Sequence, residues 1–112
     1  MPQRYLQVVM TAPHPGTEAE FNEWYDTVHV PEVLTMPGFL SGRRLELIDS
    51  DPSSGPRYLA VYEIESDDIE ETLATIARTA PSRTKSPAID VDRSVVRMYR
   101  VLGDVQTRAA GA

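Results

Sequence analysis

Cysteine is absent from the 112-residue chain, which excludes disulfides and thiolate metal sites. Long apolar runs are absent too, since no stretch approaches the roughly 18 residues that a membrane span needs. The opening MPQRYLQVVMTAP holds one Arg and then an alternating apolar run, the pattern of a strand rather than of an export signal. A soluble, cytoplasmic protein is the expectation. Basic residues are scarce where they would matter for nucleic acid. Eleven Lys and Arg face seventeen Asp and Glu, for a formal charge of −6. No Lys or Arg lies between Arg4 and Arg43, a gap that holds Glu18, Glu20, Glu23, Asp26 and Glu32. Phosphate backbones need clustered cations, so DNA and RNA are excluded as partners, and an anionic membrane surface is disfavoured for the same reason. Two acidic stretches, this one and EIESDDIEE, read as solvated helix faces.

Catalytic signatures are equally sparse. No glycine-rich phosphate loop or dinucleotide fingerprint occurs, and Ser41 in FLSGR is not a nucleophile elbow. Two His without Cys give too few ligands for a transition-metal centre, so neither metal nor cofactor is expected.

What is present patterns into six elements. RYLQVVMTA (4–12) alternates and is rich in β-formers, so it reads as a strand. Thr17 and Glu20 have capping-box spacing, and Phe21, Trp24, Tyr25 and Val28 recur at helical intervals after them. Pro31 permits a kink, and Pro37-Gly38 ends the helical stretch. FLSGRRLELI (39–48) and RYLAVYEIE (57–65) form a hairpin across the turn-rich DSDPSSGP. SDDIEETLATIARTA opens on Asp67 and Glu70 in capping-box spacing and carries Ile69, Leu73, Ile76 and Ala80 on one stripe. RSVVRMYRVL (93–102) is a final strand.

Length and a 41% hydrophobic content suit one domain over 1–112, ordered from about 4 to 102, with 103–112 a flexible tail. The βαββαβ order implies an α+β protein: a four-stranded antiparallel sheet with two helices on one face, the ferredoxin-like arrangement. Parity then assigns Leu6, Val8, Met10, Leu45, Leu47, Leu59, Val61, Val96, Met98 and Leu102 to the helices. Tyr5, Gln7, Tyr58, Tyr62, Arg97 and Tyr99 fall on the open face. So aromatic a face asks for cover, and a homodimer packed sheet to sheet is expected.

The stretch EFNEWYDTVHVPEVLTMPGF gathers the chemistry. His29 lies at the margin of the aromatic helix face, with Asn22, Tyr25 and Asp26 at i−7, i−4 and i−3. An imidazole there can serve as general acid/base, with Asp26 fixing its tautomer and Tyr25 offering a hydroxyl. A His near a helix end also interacts well with the last carbonyls, so a structural role stands beside the catalytic one. Trp24 and Phe21 have the spacing of core residues, His14 that of an exposed loop. Arg43, Arg44, Arg83 and Lys85 suit an anionic or phenolic substrate, or simple solubility.

FNEWYDTVHVPEVLTMPGF, followed by RRLEL and YLAVYEIE, resembles the EthD-like branch of the dimeric α+β barrel superfamily over residues 5–102. The resemblance implies a ferredoxin-like protomer, a dimer whose sheets form a barrel, and a pocket between sheet and helices. His29 matches the His of the EthD-like motif and Tyr25 its preceding aromatic. The resulting expectation is a cofactor-independent lyase, cyclase, dehydratase or isomerase acting on a small carbonyl or phenolic compound, as in secondary metabolism or aromatic breakdown. His29 and Tyr25 would be catalytic, and Asn22, Trp24 and Asp26 would bind substrate. The alternatives are a non-catalytic dimeric binder of a hydrophobic metabolite and a cofactor-independent monooxygenase or haem-handling enzyme.

Overall fold

In the computed structural model, which describes residues 2–49, 51, 53 and 55–111, the first β-rich run becomes β1 (Gln3–Thr11). The aromatic helix follows as α1 (Glu18–Trp24), a π-helical turn (Tyr25–His29) and α2 (Val30–Val33). Then come β2 (Phe39–Glu46), β3 (Tyr58–Ser66), α3 (Ile69–Thr79) and β4 (Val95–Arg100). The four strands lie in the order β2-β3-β1-β4, and every pair is antiparallel. This is the ferredoxin-like arrangement expected from the sequence. Of the hairpin loop, Ser50, Pro52 and Ser54 fall outside the described residues, as do Met1 and Ala112.

Local signals are met with shifts of a residue. The capping box of Thr17 and Glu20 does not form, because the Thr17 hydroxyl donates to the His14 carbonyl at 2.7 Å instead. At α3 the cap is Asp68 rather than Asp67, its carboxylate accepting from the Glu71 N–H at 3.3 Å. Gly38 leads into β2 with φ +86°, where a Cβ would stand 2.6 Å from the Glu65 carbonyl oxygen, so the turn requires glycine on two counts.

The parity of β1 and β3 is the reverse of the expected one. Tyr5, Gln7 and Thr11 of β1 and Tyr58, Ala60, Tyr62 and Ile64 of β3 are buried, on the side that meets Phe21 and Tyr25 of the helical segment. Leu6, Val8 and Met10 pair across from Glu63, Val61 and Leu59 on the opposite face, and Leu45 lies beside Leu59 there. β4 follows expectation, since Met98 packs on the core while Tyr99 is 49% exposed. Leu102 lies beyond β4 and is also exposed.

Of the tyrosines lining this core, Tyr58 has partners for its hydroxyl, whereas the buried Tyr62 Oη has none among the described residues. Tyr58 Oη accepts from Asn22 Nδ2 and donates to Glu18 Oε2, each at 3.3 Å. Glycine makes the space, since Gly42 of β2 sits opposite Tyr62, and a Cβ at that position would approach the Tyr62 ring to 2.7 Å. α3 contributes Ile69 and Ile76 to the core margin, leaving Leu73 of the same stripe 44% exposed.

Gly42→Ala is expected to destabilise the protein by about 1–3 kcal/mol, the usual cost of overpacking. Urea denaturation measures it, and an unchanged midpoint would show that the Tyr62 ring has room to yield.

Candidate active site

Pro31 shapes the site. It has no N–H, and its ring crowds the carbonyl four residues earlier, that of Thr27. The helix ahead of it widens into the π turn, closed by a bond from the Val30 N–H to the Tyr25 carbonyl, five residues back. Such turns are rare and concentrate at functional positions. Here the extra residue brings Trp24 and His29, also five apart, into a stack with ring centroids 4.7 Å apart and planes inclined by 23°. Tyr25 meets the same imidazole edge-on at 4.9 Å.

These rings form one wall of a cavity of about 590 Å³. Val9, Thr11 and Val96 line it from the sheet, and Arg83, Lys85 and Ile89 from the long connection between α3 and β4. The size suits a small organic molecule. That connection is pinned at both ends of its span: Glu32 accepts from the Thr84 N–H at 2.6 Å and from its hydroxyl at 2.8 Å. Further on, the His14 N–H bonds the Ala88 carbonyl at 2.8 Å, and the Asp90 N–H bonds that of Ala12 at 2.9 Å.

Three residues of the cavity lining each carry a buried polar atom with no hydrogen-bond partner among the described residues: Trp24 Nε1, His29 Nδ1 and Thr11 Oγ1. Such groups cost free energy unless something satisfies them. Burial, reinforced by the positive charges of Arg83 and Lys85 and opposed by Glu32, lowers the His29 pKa to about 4. At neutral pH the imidazole is therefore uncharged. Burial raises the Tyr25 phenol, with the Tyr62 hydroxyl, Arg44 and the Thr11 hydroxyl working against it. The three hydroxyls are near neighbours, yet neither Thr11 Oγ1 nor Tyr62 Oη makes a bond of regular geometry. Tyr25 stays protonated and can act as a donor.

Of the five residues singled out from sequence, His29, Tyr25 and Trp24 are brought together on this wall. Asn22 and Asp26 turn elsewhere, to Arg44 of β2. Arg44 Nη2 donates to Asn22 Oδ1 at 2.7 Å and Nη1 to Asp26 Oδ1 at 3.0 Å, with the guanidinium 4.6 Å from the centroid of the Tyr25 ring. An α-helical count puts Asp26 beside His29, and the wider turn removes that neighbour. Thr11 is a cavity residue that no sequence signal marked. Arg83 and Lys85, which the sequence offered equally for an anionic substrate or for solubility, border the cavity as well, and two cations in the long PSRTKSPAIDVD segment of an acidic chain were the signal. His14 is an exposed loop residue, as expected.

Among the described residues no group of three or more His, Asp or Glu side chains is placed to hold a metal ion, and no helix is long and apolar enough to cross a membrane. Residues 5–80 match the family model DUF4286, a domain of unknown function. The chain belongs to the DUF4286 family. No curated protein matches this DUF4286 chain. Solved structures with the same fold include an ethyl tert-butyl ether degradation (EthD) family protein from Bacillus halodurans C-125, 14% identical, covering 91% of this chain and 99% of that one with a TM-score of 0.54. A second is the haem degrader MhuD from Mycobacterium tuberculosis, 21% identical over 91% and 99% of the two chains, TM-score 0.62, described with two haems in its active site. A third, from Jannaschia sp. CCS1, is described as a dimeric ferredoxin-like protein of unknown function, 16% identical over 88% and 99%, TM-score 0.55. At these identities the likeness is one of fold: the ferredoxin-like arrangement read from the sequence, which an EthD family protein shares with this DUF4286 domain.

Because the folded state holds His29 neutral down to about pH 4, the unfolded chain, with a His pKa near 6.5, takes up that proton first as pH falls. The His29 contribution to stability is whole above pH 6.5 and is lost progressively toward pH 4. Thermal midpoints across that window are expected to fall more steeply for the wild type than for His29→Gln, and parallel curves would contradict a buried neutral imidazole.

Proposed function

We propose that this protein is a cofactor-independent enzyme that moves a proton on a small planar carbonyl or phenolic compound, in a dehydration, ring closure, elimination or isomerisation. The observation that carries this reading is the pair of buried, unpartnered nitrogens, Trp24 Nε1 and His29 Nδ1, on the wall of a largely apolar cavity. His29, already neutral, takes a proton from carbon or oxygen as negative charge develops on the substrate, and returns it later as an acid. Trp24 offers a flat surface to the ring and an N–H to an oxygen. Tyr25, held protonated, orients the imidazole from its edge. Asn22 and Asp26 act at one remove, by fixing Arg44 beneath Tyr25. Native mass spectrometry of the purified protein, with release and identification of what is bound, supplies the compound for assay. His29→Ala is then expected to lose about 10²–10⁴ in turnover with the assembly intact, and full turnover by that variant would overturn the assignment. Ligand released chemically unchanged, and never converted, would instead mark a binding module.

A second reading has one specific support. A neutral imidazole with a free nitrogen is also what haem iron takes as an axial ligand, and the fold is shared with a protein described as a haem degrader. In that reading His29 would hold the iron, Arg83 and Lys85 would face the propionates, and haem would supply oxygen chemistry. Haem titration decides it. A Soret band that His29→Ala abolishes would favour haem, and its absence in the wild type would remove this reading.

The open sheet face supports a homodimer. Leu6, Val8, Met10, Leu59 and Val61 share that face, and an apolar patch of this kind seeks a partner. Similar folds are described as dimeric. Val61→Glu, at the middle of the patch, is expected to give a folded monomer by light scattering, and a persistent dimer would place the contact elsewhere.

A further inference from the structure

We propose that the ligand of the Trp24–His29 cavity is a planar aromatic acid, its carboxylate set against Arg83 and Lys85 and its ring against Trp24. This rests on the reading that the cavity holds a small molecule, and adds the charge of that molecule. The chain carries a formal charge of −6, yet both charged side chains lining this cavity are cations. Among the described residues, the ion pairs within 4 Å engage Arg4, Arg44, Arg57 and Arg78, and neither Arg83 nor Lys85. Glu32 feels the charge of Arg83 at longer range, while both its carboxylate oxygens accept from Thr84.

Both cations do bond the end of the α3 segment. Arg83 donates to Thr79 Oγ1 at 2.9 Å, to the Ile76 carbonyl at 3.2 Å and to Met36 Sδ at 3.5 Å, and Lys85 donates to the Ala80 carbonyl at 2.7 Å. Helix capping alone would explain those bonds. It leaves unexplained why two cations with no carboxylate within 4 Å border an apolar chamber. A guanidinium has five N–H donors and an ammonium three, so both keep donors free. These bonds hold the two side chains in place, which lowers the entropy lost when a carboxylate arrives. Trp24, the single Trp of the chain, supplies a stacking surface and a third free donor on the same wall. A carboxylate accepts from several such donors at once, and charge-assisted bonds of this kind are the strong ones. A neutral hydrocarbon would leave them unsatisfied.

The test uses 2-naphthoate and its uncharged methyl ester, followed by the indole N–H signal of Trp24 in ¹H–¹⁵N spectra of the intact protein. The acid is expected to bind about tenfold more tightly than the ester or better, a difference of about 1.4 kcal/mol. The double variant Arg83→Met, Lys85→Met is expected to erase that preference while leaving ester affinity within about twofold. Equal binding of acid and ester by the wild type would overturn the proposal and leave the cavity reading standing. A preference surviving in the double variant would also overturn it, showing that the two cations only cap α3. Neither probe moving the indole signal would remove the cavity reading along with it. Should the double variant not fold, Lys85→Met alone changes an exposed side chain. It is expected to weaken the acid severalfold and not the ester, and unchanged acid affinity would overturn the proposal.

Discussion

One backbone hydrogen bond, from the Val30 N–H to the Tyr25 carbonyl, sets the geometry of the whole site. A regular α-helix would put His29 over Tyr25 and Asp26 and point its ring along the Arg44 side of the helix. Adding a residue to the turn slides the imidazole onto the indole of Trp24 and into the cavity. Pro31 makes the wider turn reasonable, because the regular bond to the Thr27 carbonyl has no donor there. Beyond the turn, the short α2 and the Pro37-Gly38 entry to β2 return the backbone to the sheet, where the pairing with β3 shifts register between Phe39 and Ser41.

Two electrostatic environments lie on either side of Tyr25. On one side Arg44 is compensated in full view, by Asp26, Asn22 and the faces of Phe21, Tyr25 and Tyr58, so it ties the helix to β2. On the other side His29 is neutral, and neither Arg83 nor Lys85 has a carboxylate within 4 Å among the described residues, Glu32 acting on Arg83 only at longer range. The first arrangement ties helix to strand beside a small surface depression, with Arg44 Nε left unpartnered among the described residues. The second borders a cavity large enough for a small ligand. The proposed acid/base role of His29 and the proposed recognition of a charged ligand both rest on that contrast.

Much of the architecture was legible in the sequence because turn formers, caps and β-rich runs are local signals. The order of six elements, the Pro-Gly entry to β2 and the cap region of α3 all lay within a residue or two of their expected places. Sheet parity was not legible, since both sides of β1 carry bulky residues that suit a strand: Leu6, Val8 and Met10 on one, Tyr5 and Val9 with the polar Gln7 and Thr11 on the other. Alternation cannot choose between two such faces. Gly42 was a usable sign, for a glycine inside a strand marks the close approach of a neighbouring group, and here that group is Tyr62. His29, Trp24 and Tyr25 could be gathered from one short stretch. Arg83 and Lys85 could not be joined to them, because the distance of some fifty residues from His29 is closed only by the bonds that Glu32, Ala12 and Ala88 make with the long connection.

Whether a buried neutral imidazole is stacked on the single Trp can be read from Trp24 fluorescence as a function of pH. An imidazolium in contact with an excited indole accepts an electron and quenches it, whereas a neutral imidazole does so weakly. Steady emission is expected from pH 8 down through pH 6, with quenching centred near the His29 pKa of about 4 and absent in His29→Gln. A midpoint near 6.5, the value of a solvated His, would contradict the stacked, buried imidazole, as would emission indifferent to the presence of His29.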